Sequence, residues 1–259
     1  MARHLRRRGD SVICARSLPA LLALLTLALP SPEGRAQTGL ATPVDLELAF
    51  VVDASGSIDE GETRLQRQGY ADALASPQVQ RAIRGGMIGA IAVSYIEFAA
   101  DGCTRVSVDW ARVADTDDAR AFGARIYAQP RMFCPGGNAI GEAIAVATRG
   151  ILENGFEGTR RVIDVSGDGP NTVGTEVGEA RDAAVKARIV INALAIHRPS
   201  MPDLPDYFRV AVTGGPGSFV MKAENRAAFA EAILRKMVRE ISEGPRRITA
   251  SRRPAPVIY

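Results

Sequence analysis

Apolar runs alternate with segments of helical spacing along residues 45–241, and this pattern predicts a parallel β-sheet covered by helices on both faces. Continuous apolar runs predict buried strands over residues 45–52, 89–98, 161–166 and 189–196. A period-two alternation over residues 104–110 predicts a half-exposed edge strand that follows a hairpin at residues 100–102. Helical spacing predicts helices over residues 60–74, 115–127, 139–152, 176–187 and 223–241. The first of these continues as a short second piece to about Arg84, and a further short helical piece is expected at residues 207–212. A last strand is expected at residues 218–221.

The fold class that follows is α/β, with a doubly wound, mainly parallel sheet, one antiparallel edge strand and helices on both faces. The chain has 259 residues and is 46% hydrophobic, which is enough to bury a sizeable core. No internal repeat and no second domain is evident between residues 44 and 242, so we expect them to form a single domain.

Residues 1–36 are typical of a secretory signal peptide, with an arginine-rich start and an apolar stretch that is too short for a stable membrane anchor. Gly34 and Ala36 are the small residues expected before a cut at Gln37. We therefore expect a periplasmic or secreted protein with no membrane span after cleavage; an uncleaved anchor is the alternative. Residues 243–259 are rich in Arg and Pro without periodicity, and we expect a disordered basic tail there.

Two cysteines remain after such a cleavage, Cys103 and Cys134. An even number of cysteines in an exported protein favours a disulfide, and two free thiols are the alternative. A metal site built on these cysteines is not favoured, because His197 is the one histidine left to join them.

A polar motif follows directly on the first predicted strand, where Asp53, Ser55 and Ser57 alternate with small residues. One carboxylate and two hydroxyls form a cluster of hard oxygen atoms, the ligand type that Mg2+ prefers. An open α/β sheet binds its ligands at the carboxyl ends of its strands, which is where this motif lies.

A second acidic residue, Asp168, follows the strand over residues 161–166 and is flanked by two glycines that permit a tight turn. This turn aims a carboxylate back across the same sheet edge. We also expect the glycine- and proline-rich loops at residues 169–171 and 214–217 to lie along that edge.

The Asp-x-Ser-x-Ser pattern after a hydrophobic strand resembles the metal-ion-dependent adhesion site of the von Willebrand factor type A superfamily, and the Asp168-Gly169 turn resembles its third loop. The glycine-rich loop before the helix at residue 139 resembles its second loop, except that Asn138 stands where the superfamily usually has threonine. The resemblance covers about residues 44–242. Three stretches resemble a narrower secreted, single-domain bacterial group with no assigned function: residues 160–171, 188–196 and 214–220.

This resemblance implies a divalent-metal site whose ligands are Asp53, Ser55, Ser57, Asn138 and Asp168. The ion would be Mg2+, or else Mn2+ or Ca2+, and Asn138 can still offer it a carbonyl oxygen. One coordination position would stay open for the carboxylate of a protein partner.

The function we expect is therefore a periplasmic or secreted binding module rather than an enzyme. The first alternative is a metal-independent interaction domain with a degenerate site, in which Asp53 and the serines only stabilise a turn; the Asn138 departure favours it. The second is a hydrolase, which is opposed by the lack of a Gly-x-Ser-x-Gly elbow and by the scarcity of His and Lys. Residues 1–36 hold six Arg and two acidic residues, which leaves the rest of the chain nearly neutral although the whole chain is +3, so no basic face suggests a nucleic-acid partner.

Overall fold

The computed structural model describes residues 40–56, 58–225 and 228–244. The expected signal peptide, Ser57 and all of the expected tail beyond Gly244 lie outside these residues. Within them the strands are β1 (Thr42–Val44), β2 (Leu46–Asp53), β3 (Ile91–Phe98), β4 (Thr104–Val113), β5 (Phe156–Gly158), β6 (Arg161–Gly167), β7 (Val190–Ile196) and β8 (Val220–Ala223). The helices are α1 (Glu60–Ala75), α2 (Pro77–Arg84), α3 (Thr116–Tyr127), α4 (Ile140–Glu153), α5 (Val177–Lys186), α6 (Leu204–Tyr207) and α7 (Phe229–Ser242), with a π-helical turn at Phe208–Val212.

Six strands form the main sheet of the described residues, in the order β4-β3-β2-β6-β7-β8. All neighbouring pairs are parallel except β3 and β4, which are antiparallel. The predicted fold class is therefore confirmed, including the antiparallel edge strand and the hairpin that precedes it. A separate two-stranded sheet pairs β1 with β5, and neither of these short strands was predicted.

Strand β2 is buried along its whole length because helices cover both faces of the sheet. Its residues Leu48 and Phe50 pack into one core with α1, α3 and α7. The alternate residues Ala49 and Val51 pack into a second core with α4, α5 and the π-helical turn. The two-sided burial explains why residues 48–52 of this strand are all apolar rather than alternating with polar residues.

A buried charged cluster ties α7 to the middle of the sheet. The Lys236 ammonium lies 2.5 Å from the Asp164 carboxylate on β6 and 2.6 Å from the Glu240 carboxylate one helical turn further along α7. The side-chain amide of Asn192 on β7 also donates to Glu240, at 2.9 Å. Burial, and then the negative charge of Asp164, raise the pKa of Glu240 to about 8.

One loop prediction was wrong. The loop at residues 214–217 does not lie at the carboxyl ends of the strands, because Gly214 pairs with Ile191 near the start of β7. The loop leads into β8, which is parallel to β7, so it enters at the amino-terminal edge of the sheet. In the described part of the chain, no helix is both long enough and apolar enough to cross a membrane.

Candidate metal centre

The candidate site lies where the order of strands around β2 reverses. The chain leaves β2 through α1 to reach β3 on one side, and β6 pairs with β2 on the other. Such a switch point opens a crevice at the carboxyl ends of the strands, where ligands of open α/β sheets bind. Asp53 is the last residue of β2, and Asp168 directly follows β6.

The structure brings Asp53 and Asp168 together. Both are almost fully buried, at 0% and 2% exposure. The backbone N–H of Asp168 points to Asp53 Oδ2 at 3.4 Å. Gly167, which separates Asp168 from the rest of β6, leaves room for this approach, since a Cβ there would lie only 3.1 Å from Asp53 Oδ2. The result is two neighbouring carboxylates with almost no access to solvent.

The carboxyl group of Asp53 is electrostatically costly to ionise in this position. Burial, and then the negative charge of Asp168, raise its pKa to about 6. Hydrogen bonds from Ser55 and from the Asp168 backbone lower the pKa, but they do not outweigh burial. A cation held between the two carboxylates would remove this cost.

The first loop contributes Ser55, which is buried and donates its backbone N–H to Asp53 Oδ1 at 2.8 Å. Asp59, a few residues further on, is the N-cap of α1 and forms a reciprocal capping box with Glu62. Asp59 therefore belongs to the helix start rather than to the candidate site.

The second loop places Asn138 beside the turn that carries Asp168. A Cβ on Gly169 would lie 2.6 Å from Asn138 Nδ2, so the Asn138 side chain rests against this glycine. The backbone of Asn138 is fixed by Thr172, whose hydroxyl accepts the Asn138 N–H at 2.9 Å and whose own N–H donates to the Asn138 carbonyl at 2.9 Å. The second and third loops are thus joined at the residue that departs from the superfamily pattern.

Several contacts hold residues 131–135, which precede Asn138, in place. Cys103 and Cys134 form the predicted disulfide, which ties this stretch to the hairpin between β3 and β4. Arg131 donates to the Ile58 carbonyl at 2.7 Å, and a Cβ on Gly56 would lie 3.7 Å from the Cα of Pro135. The second loop therefore contacts the first loop at two positions, one before and one after Phe133 in the sequence.

Arg198 is a charged residue of the site that the sequence reasoning missed. It lies just after β7, and its Nη1 is 3.4 Å from Asp168 Oδ1. Its position in the next strand-end loop of the same sheet was the available signal, because β7 neighbours β6. The structure thus places Asp53, Ser55, Asn138 and Asp168 in adjoining loops, while Ser57 lies outside the described residues.

These donors fit a hard divalent cation rather than a zinc site of the Cys/His type. Among the described residues there is no group of three or more His, Cys, Asp or Glu side chains placed to hold a metal ion. The site offers two carboxylates, with the Ser55 hydroxyl beside Asp53 and the side-chain amide of Asn138 beside Gly169. Mg2+ and Mn2+ accept such an incomplete oxygen set and complete it with water.

The fold is similar to that of von Willebrand factor type A domains of known structure. The pilus adhesin SpaC from Lactobacillus rhamnosus GG matches with a TM-score of 0.57 and 16% identity over 78% of this chain and 31% of that one. Proximal thread matrix protein 1 from the mussel byssus, solved with a zinc-occupied MIDAS motif, matches at 0.51 and 15% over 76% and 47%. The von Willebrand factor domain of the pili tip protein Mfa5 from Porphyromonas gingivalis matches at 0.51 and 11% over 79% and 99%.

The chain belongs to the family described as protein of unknown function (DUF1194), whose model matches residues 43–245. No curated protein matches the sequence. The chain spans only about a third of SpaC and about half of the mussel protein. These likenesses establish the fold.

Proposed function

We propose that this domain binds one divalent cation, Mg2+ or Mn2+, and uses it to hold a carboxylate of a protein partner outside the cytoplasm. Asp53, Ser55, Ser57, Asn138 and Asp168 are the proposed ligands, directly or through water. The observation that carries the proposal is the meeting of two buried aspartates at the switch point of the sheet: the Asp168 N–H lies 3.4 Å from Asp53 Oδ2, and the charge of Asp168 opposes ionisation of Asp53.

Charge supports an anionic ligand for the loaded site. Two carboxylates balance the charge of a divalent cation, and the guanidinium of Arg198, which pairs with Asp168 when no ion is bound, would then be available to an anion beside the site. A loaded site therefore attracts a carboxylate, which can replace a water in the coordination shell of the ion.

An exposed apolar residue beside the site supports a protein as the partner. Phe133 is 78% exposed, although it lies in the stretch that Arg131 and Pro135 hold against the first loop. Phe133 therefore offers a protein partner one large apolar side chain in the stretch that precedes Asn138. The structural relatives include a pilus adhesin and a pili tip protein, which agrees with this class of function.

An extracytoplasmic location is the natural setting for this function. The disulfide between Cys103 and Cys134 favours an oxidising compartment, and residues 1–36 have the pattern of a removable signal peptide. We propose that the domain over residues 44–242 acts in the periplasm or outside the cell, with residues 243–259 as a basic tail.

A metal-independent interaction domain is the second candidate. Two observations favour it: Asn138 stands at a ligand position, and Arg198 already pairs with Asp168. In that case Arg198 would always neutralise the charge of Asp168, and divalent cations would not bind.

Thermal unfolding with EDTA or with excess Mn2+ separates the two candidates. At about a hundredfold excess over Kd, one bound ion should raise the Tm by about 5 to 10 °C. Asp53→Asn removes a buried charge, so this variant should fold at least as stably in EDTA and should lose the rise. Asp72→Asn, at an exposed position of α1, is the control that should keep it. No rise in the wild-type protein would contradict the proposal.

A further inference from the structure

Arg198 is held at the entrance of the candidate metal site by its own backbone turn. Its carbonyl accepts the Met201 N–H at 2.9 Å, which closes the turn directly after β7. Its guanidinium reaches the Asp168 carboxylate at 3.4 Å, and among the described residues it makes no other ion pair. The Arg198 side chain is 36% exposed, whereas that of Asp168 is 3% exposed.

The two residues of this ion pair therefore differ in how easily each can leave it. Asp168 is buried beside Asp53 and needs a positive charge nearby, because the two carboxylates repel each other. Arg198 is a long side chain that can turn into solvent at little cost. A stronger cation at Asp168 would consequently displace the guanidinium rather than the carboxylate.

We propose that Arg198 competes with the divalent cation for Asp168 and thereby sets the affinity and the charge selectivity of the site. The inference rests on the proposed function. In the metal-free protein the guanidinium compensates part of the charge of the two aspartates. A divalent ion brings twice that charge into the buried site and displaces Arg198, whereas Na+ or K+ brings no more charge than the group it would have to displace.

Replacing Arg198 should therefore have two opposite effects. Arg198→Gln removes the competing charge, so the Kd for Mn2+ should fall by about tenfold, since a unit charge a few ångström from a divalent ion is still felt at high dielectric. The same change leaves the aspartates less compensated, so the metal-free protein should unfold at a lower urea concentration. A side chain with only a structural role would not tighten metal binding when it is removed.

The test is a calorimetric titration with Mn2+ alone, together with urea unfolding in EDTA. Arg198→Lys keeps the charge and should stay within about threefold of the wild-type Kd. Arg120→Gln removes the same charge from an exposed pair with Asp117 on α3 and should leave the Kd unchanged. Tighter binding by Arg198→Gln alone supports the inference, and unchanged or weaker binding by that variant overturns it. A wild-type protein that does not bind Mn2+ would instead overturn the proposed function, and this inference with it.

Discussion

Removal of the disulfide between Cys103 and Cys134 should lower the free energy of unfolding but leave the metal affinity almost unchanged. The two cysteines are 31 residues apart in the sequence. In the chain-entropy relation, a closed loop of this length stabilises the folded state by about 3 to 4 kcal/mol. We expect a Cys103→Ala/Cys134→Ala protein to lose about this much of its free energy of unfolding.

The metal site should survive this loss, because Asn138 has its own anchors. Thr172 holds both the N–H and the carbonyl of Asn138, and the next residue, Ala139, donates its N–H to the Ala99 carbonyl at 2.8 Å. Earlier in the stretch, Arg131 fastens it to the first loop. We therefore expect the Kd for Mn2+ to change by no more than about threefold, or less than 1 kcal/mol.

Urea unfolding at pH 7 in EDTA measures the first quantity, and calorimetric titration with Mn2+ measures the second. The single variants are less suitable, because each leaves an unpaired thiol. A loss of less than about 1 kcal/mol would refute the chain-entropy argument for this loop. A Kd that rises more than tenfold would show that the disulfide, rather than Thr172, holds the second loop in its binding conformation.

Three further predictions concern the interior. Lys236→Met removes the cation that pairs with buried Asp164 and contacts Glu240, and it should cost about 3 to 5 kcal/mol by urea unfolding; a cost under 1 kcal/mol would contradict a buried ion pair here. Since the folded state raises the pKa of Glu240 to about 8, the folded protein keeps a proton that the unfolded chain loses above its ordinary pKa of 4.5. Stability should therefore fall as the pH rises from about 5 to 8, and Glu240→Gln should flatten that slope; an unchanged slope would contradict the assignment. Gly141→Ala places a Cβ 2.2 Å from the Thr175 carbonyl and should cost about 1 to 3 kcal/mol, whereas a neutral effect would mean that this contact is loose.

The order of the main strands and helices could be predicted because each is long enough to carry its own periodicity. Strand β2 has an apolar run over residues 48–52, since both of its faces are covered, and α1 covers the predicted residues 60–74. Strands β1 and β5 could not be predicted, because each has three residues and is defined by the pairing of distant segments. The glycine-rich loop at 214–217 was misplaced because composition does not tell whether a loop follows a strand or precedes one.

The candidate site was predicted only in part, for a related physical reason. Asp53 ends β2 and Asp168 follows β6, and these neighbouring parallel strands end at the same sheet edge, so the proximity of the two residues follows from topology. The ion pair between Arg198 and Asp168 joins two loops through one long side chain, which no local pattern encodes. The contact of Asn138 with Thr172 is equally non-local, and it depends on how the second and third loops fold against each other.

A direct count of bound Mn2+ tests the central claim most directly. Electron paramagnetic resonance of free Mn2+, with increasing amounts of the purified protein, gives both the stoichiometry and the affinity. We predict one ion per chain for the wild-type protein, and no binding at the same concentrations for Asp53→Asn and Asp168→Asn. A wild-type protein that leaves all Mn2+ free, or variants that bind it as the wild type does, would contradict a metal centre built on these two carboxylates.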